Sequence, residues 1–231
     1  MTHGFPILYS FRRCPYAMRS RMGLAYANIK CELREVVLRN KPPEMTAVSA
    51  KNTVPILCLP DGQIIDESYD IITWAIRQND PKDWTALLPQ SDILVSENDG
   101  TFKSALDKYK YSSRFPDHPP EYYRDEGAIF LNKLENILHQ SPYLLGQRQS
   151  PADIAIFPFI RQFAHVDKNW FYEGPYPNLL RWLTGHLESD QFRLIMKKYP
   201  PWQQEDDPVY FPDLYQGLIP PLVHSVNNDN M

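Results

Sequence analysis

The chain has 231 residues, of which 43% are hydrophobic and 23% are charged, and its net charge is -4. This length suits one large domain or two modest ones, and the composition is that of an ordinary globular protein. The mildly acidic balance argues against nucleic acid as the main partner, because phosphate neutralisation needs a clustered basic surface. The chain has no uncharged apolar run of about 18 residues and no signal-peptide pattern, so we expect a cytoplasmic protein that does not bind membranes.

The three cysteines, Cys14, Cys31 and Cys58, are few and odd in number. Their spacing from one another and from the six histidines matches no common zinc site. We therefore expect neither a disulfide framework nor a bound metal. Free thiols suit a reducing compartment.

Strand and helix patterns alternate at the start of the chain. The apolar run at residues 5–10 predicts a buried strand, and a helix with apolar residues three and four apart begins at Pro15. It ends near Asn28, and a second strand is predicted at residues 31–38. A strand, a helix and a strand with short connections form a right-handed parallel unit.

The next stretch completes the first predicted domain. Residues 40–52 contain a short helical piece, and the turn sequence PDG predicts an antiparallel hairpin of two further strands. Ser68 is the expected cap of the helix that follows. This order is that of a thioredoxin-like α/β domain, which we assign to residues 1–80.

The second part of the chain is rich in helix signals. Residues 81–90, with their prolines and polar side chains, are predicted to be a linker. Residues 91–231 are predicted to form an all-helical domain with an irregular C-terminal tail on the surface. The strongest helix start lies in SPADIAIFPFIR, where Ser150 is the expected cap and Pro151 and Asp153 follow it.

The stretch FRRCPYAMRS places Cys14 directly before the first residue of a predicted helix. Unpaired amides and the helix dipole stabilise an anion there, so we expect a lowered thiol pKa. Four arginines add positive charge nearby: Arg12, Arg13, Arg19 and Arg21. Ala17 stands where a dithiol protein carries its second cysteine, so a disulfide of Cys14 would be resolved by an external thiol. The alternative is that Cys14 is a small residue packed under the helix, as we interpret Cys31 and Cys58 to be core residues.

Two further stretches carry polar groups that suit a peptide ligand. In TVPIL, a cis bond between Val54 and Pro55 would turn the backbone N–H and C=O of Val54 outward to pair with an extended peptide. In DESYD, Ser68 at a helix start can hold a carboxylate, while Glu67 can hold an ammonium. Capping alone would also explain Ser68, and a solvated acid would explain Glu67.

Five stretches of the chain together match one known family pattern: YSFRRCPYAMRSRM, LRNKPPE, TVPIL, DESYDIITW and, more loosely, SPADIAIFPFIR. On these the chain resembles the glutathione transferases, and among them the cysteine-containing omega class. The resemblance implies the glutathione transferase fold, an α/β N-terminal thioredoxin-like domain followed by an all-α C-terminal domain. It also implies glutathione as co-substrate without a metal. A homodimer is implied as well, with the N-terminal domain of one subunit against the helical domain of the other.

The same resemblance implies the site residues. Cys14 would be the nucleophile that forms a mixed disulfide with glutathione. Lys41 would pair with the glycine carboxylate of glutathione, and the backbone of Val54 with its cysteinyl part, while Glu67 with Ser68 would bind the γ-glutamyl end. The full glutathione-binding set would be Tyr16, Lys41, Val54, Pro55, Glu67 and Ser68.

Tyr9 is a rival activator, because many transferases use a tyrosine or serine at the end of the first strand. We favour Tyr9 as a packed strand residue. The acceptor site is expected between the domains, with these candidates: Tyr109, Tyr111, Phe115, His165 and Trp170. Aromatic residues at helical spacing are also typical of a core, and a lone histidine is often a structural hydrogen-bonding group.

Our leading functional hypothesis is a glutathione-dependent thiol transferase or reductase that acts through a mixed disulfide at Cys14. Deglutathionylation and dehydroascorbate-type reduction would use the same cycle. The acceptor would be small and hydrophobic, or would contain a disulfide. One alternative is conjugation of glutathione to electrophiles, and another is a non-catalytic interaction module of the same fold.

Overall fold

The structure is a computed structural model that describes residues 4–213. Its first part is a sheet with helices. The strands are β1 Ile7–Ser10, β2 Cys31–Glu35, β3 Ile56–Cys58 and β4 Ile64–Ile65. The helices are α1 Pro15–Tyr26, α2 Pro43–Val48 and α3 Ser68–Gln78. The predicted thioredoxin-like order of elements is confirmed.

The pairing of β1 places the start of α1 beside the start of β3. β1 pairs in parallel with β2, and its Tyr9 lies opposite Ile56 in an antiparallel pairing with β3. β4 pairs antiparallel with β3. Because β1 ends where β3 begins, the loop after β1 and the turn before β3 lie at the same edge of the sheet.

The second part of the chain is helical. Its helices are α4 Leu88–Glu97, α5 Lys103–Lys110, α6 Pro120–Gln140, α7 Pro151–Ala164, α8 Lys168–Tyr172, α9 Pro177–Leu187 and α10 Asp190–Ile195. A wider helical turn at residues 98–102 joins α4 to α5. The predicted helix start at Ser150 is confirmed, because Ser150 and Asp153 form a capping box. The fold class predicted from the sequence is therefore confirmed.

Helix α1 is buried on nearly every side, although its sequence predicts one apolar face. All of its residues except Tyr16 are buried. One side packs against α3, where Gly23 meets Ile72, and another against α7, where Arg19 Nε donates to the carbonyl of Ala155 at 2.9 Å. The helix therefore lies between the two domains and joins their cores.

The stretch predicted as a linker is packed and partly helical. Trp84 is 1% exposed, and its ring stacks on Tyr26 of α1 at 3.5 Å. Helix α4 begins at Leu88, so residues 88–90 of the predicted linker belong to it. The prediction took the prolines and polar residues of this stretch as linker signals, whereas Pro89 lies in the first turn of α4, where proline is well tolerated.

The region predicted as all-helical also contributes a strand. Residues Tyr210–Phe211 form β5, which pairs antiparallel with β2 and places Phe211 opposite Cys31. The sheet order is thus β4-β3-β1-β2-β5. A two-residue strand has no detectable period, and its position depends on the free edge of β2. The predicted irregular tail continues through residues 214–231, which lie outside the described residues.

One apolar core runs through both domains, from Leu8 in the sheet to Phe163 in α7. Within residues 4–213, no helix combines the length and the apolar character needed to cross a membrane.

Candidate active site

A cavity of about 470 Å³ opens at the sheet edge where β1 ends and β3 begins. It is bounded by the start of α1, the loop after β2, the turn before β3 and the start of α3. Its lining residues are Cys14, Tyr16, Leu38, Lys41, Asn52, Thr53, Val54, Pro55, Asp66, Glu67 and Ser68. The structure thus brings together Cys14 and all six residues predicted to bind glutathione.

Cys14 is the residue that precedes α1, and its backbone is extended. Its amide donates to the carbonyl of Phe11 at 3.0 Å, which closes the turn after β1. Its thiol donates to the carbonyl of Val54 at 3.7 Å. The bond between Val54 and Pro55 is cis. The thiol and the backbone of Val54 therefore face the same cavity.

Burial is the dominant influence on the Cys14 thiol, and it raises the pKa above the usual value. Hydrogen bonds from the backbone amides of Ala17 and Tyr16 oppose this rise in pKa, as do the charges of Arg21 and Lys103. The predicted lowering is therefore wrong: the helix start acts in the expected direction, but desolvation outweighs it.

The arginines around Cys14 do not act as a group. The guanidinium of Arg19 is buried and binds both carboxylate oxygens of Asp99 at 2.7 and 2.6 Å. Its charge is thus compensated by the helical domain. Arg13 lies over the ring of Phe11 at 5.6 Å. Of the four arginines, Arg21 opposes the rise in the pKa of Cys14 most strongly.

The start of α3 presents its first amides and two acids to the cavity. Glu67 precedes the helix and Ser68 is its first residue, so the prediction that Ser68 caps α3 is wrong. The Ser68 hydroxyl accepts instead from Arg19 Nη1 at 3.4 Å. The ammonium of Lys51 binds Glu67 at 2.6 Å and Asp66 at 2.9 Å. The paired acids therefore already hold a cation.

Tyr9 is a packed strand residue, as predicted. It is 3% exposed, its hydroxyl accepts from Arg34 Nη1 at 2.8 Å, and its ring packs edge-on against Trp202. Within the described residues, it is not part of the lining of the Cys14 cavity.

The five acceptor-site candidates are not brought together beside Cys14. Tyr109 is buried in the helical core against Phe163, and Trp170 packs on the same ring. Tyr111 is 39% exposed, and His165 is exposed at the end of α7. Phe115 is half-buried in the connection before α6. Within residues 4–213, none of the five lines the cavity.

The residues that the helical domain places near Cys14 are different ones. The ring of Tyr16 packs edge-on against Phe159 of α7 at 4.9 Å, and the ammonium of Lys103 lies 5.6 Å from its centre. Lys103 also forms an ion pair with Asp107. Sequence reasoning missed both residues. Phe159 lies within an apolar run, which is typical of a core, and a lone lysine such as Lys103 is typical of a solvated surface.

Two family models match the chain, and each describes one of its domains. The model "Glutathione S-transferase, N-terminal domain" matches residues 8–83, and "Glutathione S-transferase, C-terminal domain" matches residues 130–185. The chain belongs to the glutathione S-transferase superfamily. In this transferase, the residues matched by the N-terminal family model include every residue that lines the cavity.

Curated relatives of this transferase carry names of several kinds. Glutathione S-transferase DHAR3, chloroplastic, from Arabidopsis thaliana is 24% identical over 183 residues, which are 78% of this chain and 67% of that protein. Glutathione S-transferase U19 from the same plant is 26% identical, over 80% of this chain and 86% of that protein. Glutathione S-transferase omega-1 from Rattus norvegicus is 24% identical, over 79% of this chain and 76% of that protein. These similar identities identify the superfamily rather than one class.

Solved structures share the fold. A glutathione transferase family member from Pseudomonas fluorescens, with two glutathione molecules bound, has a TM-score of 0.71 at 20% identity, covering 83% of this chain and 92% of that one. A glutathione transferase from Pseudomonas putida, with one glutathione disulfide bound per subunit, has a TM-score of 0.72 at 21% identity. The match covers 85% of this chain and 93% of that one.

Proposed function

We propose that this transferase is a glutathione-dependent thiol transferase or reductase that acts through a mixed disulfide between Cys14 and glutathione. The observation that carries the proposal is the shared cavity, in which the Cys14 thiol lies 3.7 Å from the carbonyl of Val54 and faces the start of α3. The names of the relatives DHAR3 and omega-1, and the glutathione bound in similar structures, support it.

The cavity carries groups that suit a peptide with two carboxylates and one ammonium. At the start of α3, the free backbone amides and the Ser68 hydroxyl suit the carboxylate of the γ-glutamyl end. Glu67, beside Asp66, would take its ammonium in exchange for that of Lys51. Lys41, on the wall formed by the loop after β2, would pair with the glycine carboxylate.

The backbone of Val54 would hold the central residue of glutathione. Its carbonyl now accepts the Cys14 thiol proton. In the complex it would accept the cysteinyl amide N–H of glutathione, while its own N–H would donate to the cysteinyl carbonyl. The glutathione sulfur would then lie beside Cys14 Sγ, as a mixed disulfide requires.

The proposed cycle has two exchange steps, and Cys14 is the nucleophile in the first. Its thiolate attacks the glutathione sulfur of a glutathionylated substrate, the new S–S bond forms, and the substrate thiolate leaves and takes a proton from water. The thiolate of a second glutathione then attacks the mixed disulfide. Glutathione disulfide leaves, and the Cys14 thiolate is restored. The cycle consumes reduced glutathione, so we also propose a cytoplasmic location.

Mass spectrometry after incubation with glutathione disulfide tests the proposal. The wild type and a Cys58→Ser control are expected to gain one glutathionyl group, because the half-buried Cys58 lies in β3 and not in the cavity lining. Cys14→Ser is expected to gain none and to lose at least about 100-fold of thiol-transferase turnover. A Cys14→Ser enzyme with full turnover would refute the proposal, and an unmodified wild type would favour the non-catalytic module.

Conjugation of glutathione to an electrophile is the second candidate, and the protonation state of the site favours it. Burial keeps the Cys14 thiol largely protonated near neutral pH. Burial and Asp99 raise the pKa of Tyr16 to about 12, so its hydroxyl is available as a hydrogen-bond donor to a glutathione thiolate. Conjugation of glutathione to a chloronitrobenzene distinguishes the two, because Cys14→Ala would retain or raise that activity only if conjugation is the function.

We also propose a homodimer in which the N-terminal domain of one subunit contacts the helical domain of the other. Exposed apolar side chains on both domains support this arrangement: Ile64 of β4, 37% exposed, Ile93 of α4, 68% exposed, and Ile129 of α6, 65% exposed. Light scattering is expected to give about twice the chain mass of 27.0 kDa, and a value at the chain mass would contradict the dimer.

A further inference from the structure

A buried ion pair lies beneath the loop that carries Cys14. Arg21 of α1 is 1% exposed and Glu35 at the end of β2 is 9% exposed. Arg21 Nη1 lies 4.0 Å from Glu35 Oε2. Two charged side chains at these depths are costly to bury unless they are paired and hydrogen-bonded. Their other contacts show what they hold.

The pair binds the loop of residues 10–14 from two elements. Arg21 Nη1 donates to the hydroxyl of Ser10 at 2.6 Å, and Arg21 Nη2 donates to the carbonyl of Arg12 at 2.7 Å. The amide of Arg12 donates to Glu35 Oε1 at 2.6 Å. The residue two positions before Cys14 is therefore held through both its carbonyl and its amide.

The pair is not fully satisfied by these bonds. Among the described residues, Arg21 Nε and Glu35 Oε2 have no hydrogen-bond partner. Burial lowers the pKa of Arg21 to about 10, and the negative charges of Glu35 and then Cys14 oppose this. Burial likewise raises the pKa of Glu35. The buried guanidinium thus has two acidic neighbours that compete for it, the carboxyl group of Glu35 and the thiol of Cys14.

We propose that Arg21 and Glu35 are positioning residues for Cys14: they hold its loop, Arg21 stabilises its thiolate, and Glu35 limits that stabilisation. When the Cys14 thiol releases its proton to water, the thiolate shares the field of Arg21 with Glu35. The identity of the substrate that this thiolate attacks rests on the proposed function. The formation of the thiolate does not.

The proposal predicts a counter-intuitive effect of removing an acid. The substitution Glu35→Gln keeps the shape of the side chain and the acceptor for the Arg12 amide, but it removes the negative charge. The field of Arg21 at Cys14 is then no longer offset, so the thiol should ionise at lower pH. A purely structural role for Glu35 would give no such shift.

Other charged groups near Cys14 and Arg21 remain unchanged in this comparison. Arg21 is also influenced by Tyr199 and Arg12, and Cys14 by Lys103. The remaining titratable residues of the cavity lining are Tyr16, Lys41, Asp66 and Glu67. Since none of them is altered, a shift between the variants reports on position 35.

Alkylation of Cys14 by iodoacetamide, followed by peptide mass from about pH 6 to about pH 10, tests the proposal. The thiolate forms an S–C bond and iodide leaves, and glutathione is not involved. For Glu35→Gln we expect a midpoint lower by about half a pKa unit and about twofold faster alkylation at neutral pH, because about three times more thiolate forms and each thiolate is somewhat less nucleophilic. A double variant, Arg21→Met with Glu35→Gln, removes both charges and should have a midpoint above that of the wild type.

The matched control is Glu32→Gln on the same strand. Glu32 pairs with Arg34 at 2.6 Å rather than with Arg21, so its profile should match the wild type. The proposal is overturned if the midpoint of Glu35→Gln is unchanged or higher, if Glu32→Gln shifts equally, or if the double variant matches the wild type. If Cys14 fails to form a glutathione adduct, the proposed function is contradicted. The alkylation profiles still test the roles of Arg21 and Glu35, because glutathione takes no part in that reaction.

Discussion

Cys14 is under two opposing influences at the residue scale. The start of α1 and Arg21 favour its thiolate, whereas burial favours the thiol and is the larger effect. A thiolate with a higher pKa is present in smaller amount at neutral pH, but it is intrinsically more nucleophilic. The raised pKa therefore slows the proposed exchange without preventing it, and the rate should depend strongly on pH.

The pH dependence of alkylation in the wild type is the first test at this scale. Because the pKa of Cys14 is above the usual value of about 8.5, its alkylation rate should rise with pH through about pH 9 without levelling off. The rate is measured by peptide mass, and the half-buried Cys58 in the same sample serves as an internal comparison. A rate that is already constant near pH 7.5 would show a low pKa and contradict the burial argument.

At the scale of elements, the contact between α1 and α3 depends on a missing side chain. A Cβ atom on Gly23 of α1 would lie 2.8 Å from Ile72 Cγ1 and 3.1 Å from Ile72 Cα. The second of these atoms is backbone and cannot move by a change of rotamer. The close packing of the two helices, which carry Cys14 and Glu67 at their starts, thus needs glycine at this position.

Substitution of helical glycines tests this packing. Gly23→Ala should lower the free energy of unfolding by about 1–3 kcal/mol, because the added methyl overpacks the contact. Gly185→Ala in α9 is the matched control: its Cβ would meet nothing within 4 Å, and helix propensity predicts a gain of about 0.5–1 kcal/mol. Urea unfolding measures the free energy of unfolding of both variants. Equal changes in the two variants would show that the contact between α1 and α3 does not need glycine at position 23.

At the scale of the whole molecule, β5 ties the end of the described chain to the first domain. Phe211 is fully buried, and its neighbour Tyr210 is 39% exposed. The amide of Leu33 donates to the carbonyl of Val209 at 2.7 Å, and the amide of Trp202 donates to the carbonyl of Glu35 at 2.8 Å. The segment after α10 therefore covers the edge of β2 that would otherwise be open.

Truncation of the β5 side chains measures this connection. Phe211→Ala should lower the free energy of unfolding by about 3–5 kcal/mol, because it leaves a cavity beneath β2. Tyr210→Ala, the control in the same strand, should cost about 1 kcal/mol, because its ring lies on the surface against Phe5. Comparable losses in the two variants would show that β5 is not anchored through the core.

Much of the fold and of the cavity wall around Cys14 could be predicted from the sequence. The capping box at Ser150 and the helix start directly after Cys14 are local, so neighbouring residues along the chain are enough to predict them. The cavity wall was predicted through the family motifs that contain Cys14, Lys41, Val54 and Glu67. The strand order β4-β3-β1-β2-β5 brings these motifs to the sheet edge in an order different from that along the chain. The acceptor-site candidates were chosen for their aromatic character instead, and Tyr109 proved to be core.

By itself, the amino-acid sequence determined the order of strands and helices, because this order depends on local pattern, whereas the resemblance to a known family supplied the set of residues expected around Cys14. Tertiary structure alone decided the burial that raises the pKa of Cys14, the pairing of Arg19 with Asp99 and the addition of β5 to the sheet. Each of these arises from burial or from contact between residues far apart in the chain. Desolvation and long-range pairing are properties of the packed molecule, and no window of neighbouring residues contains them.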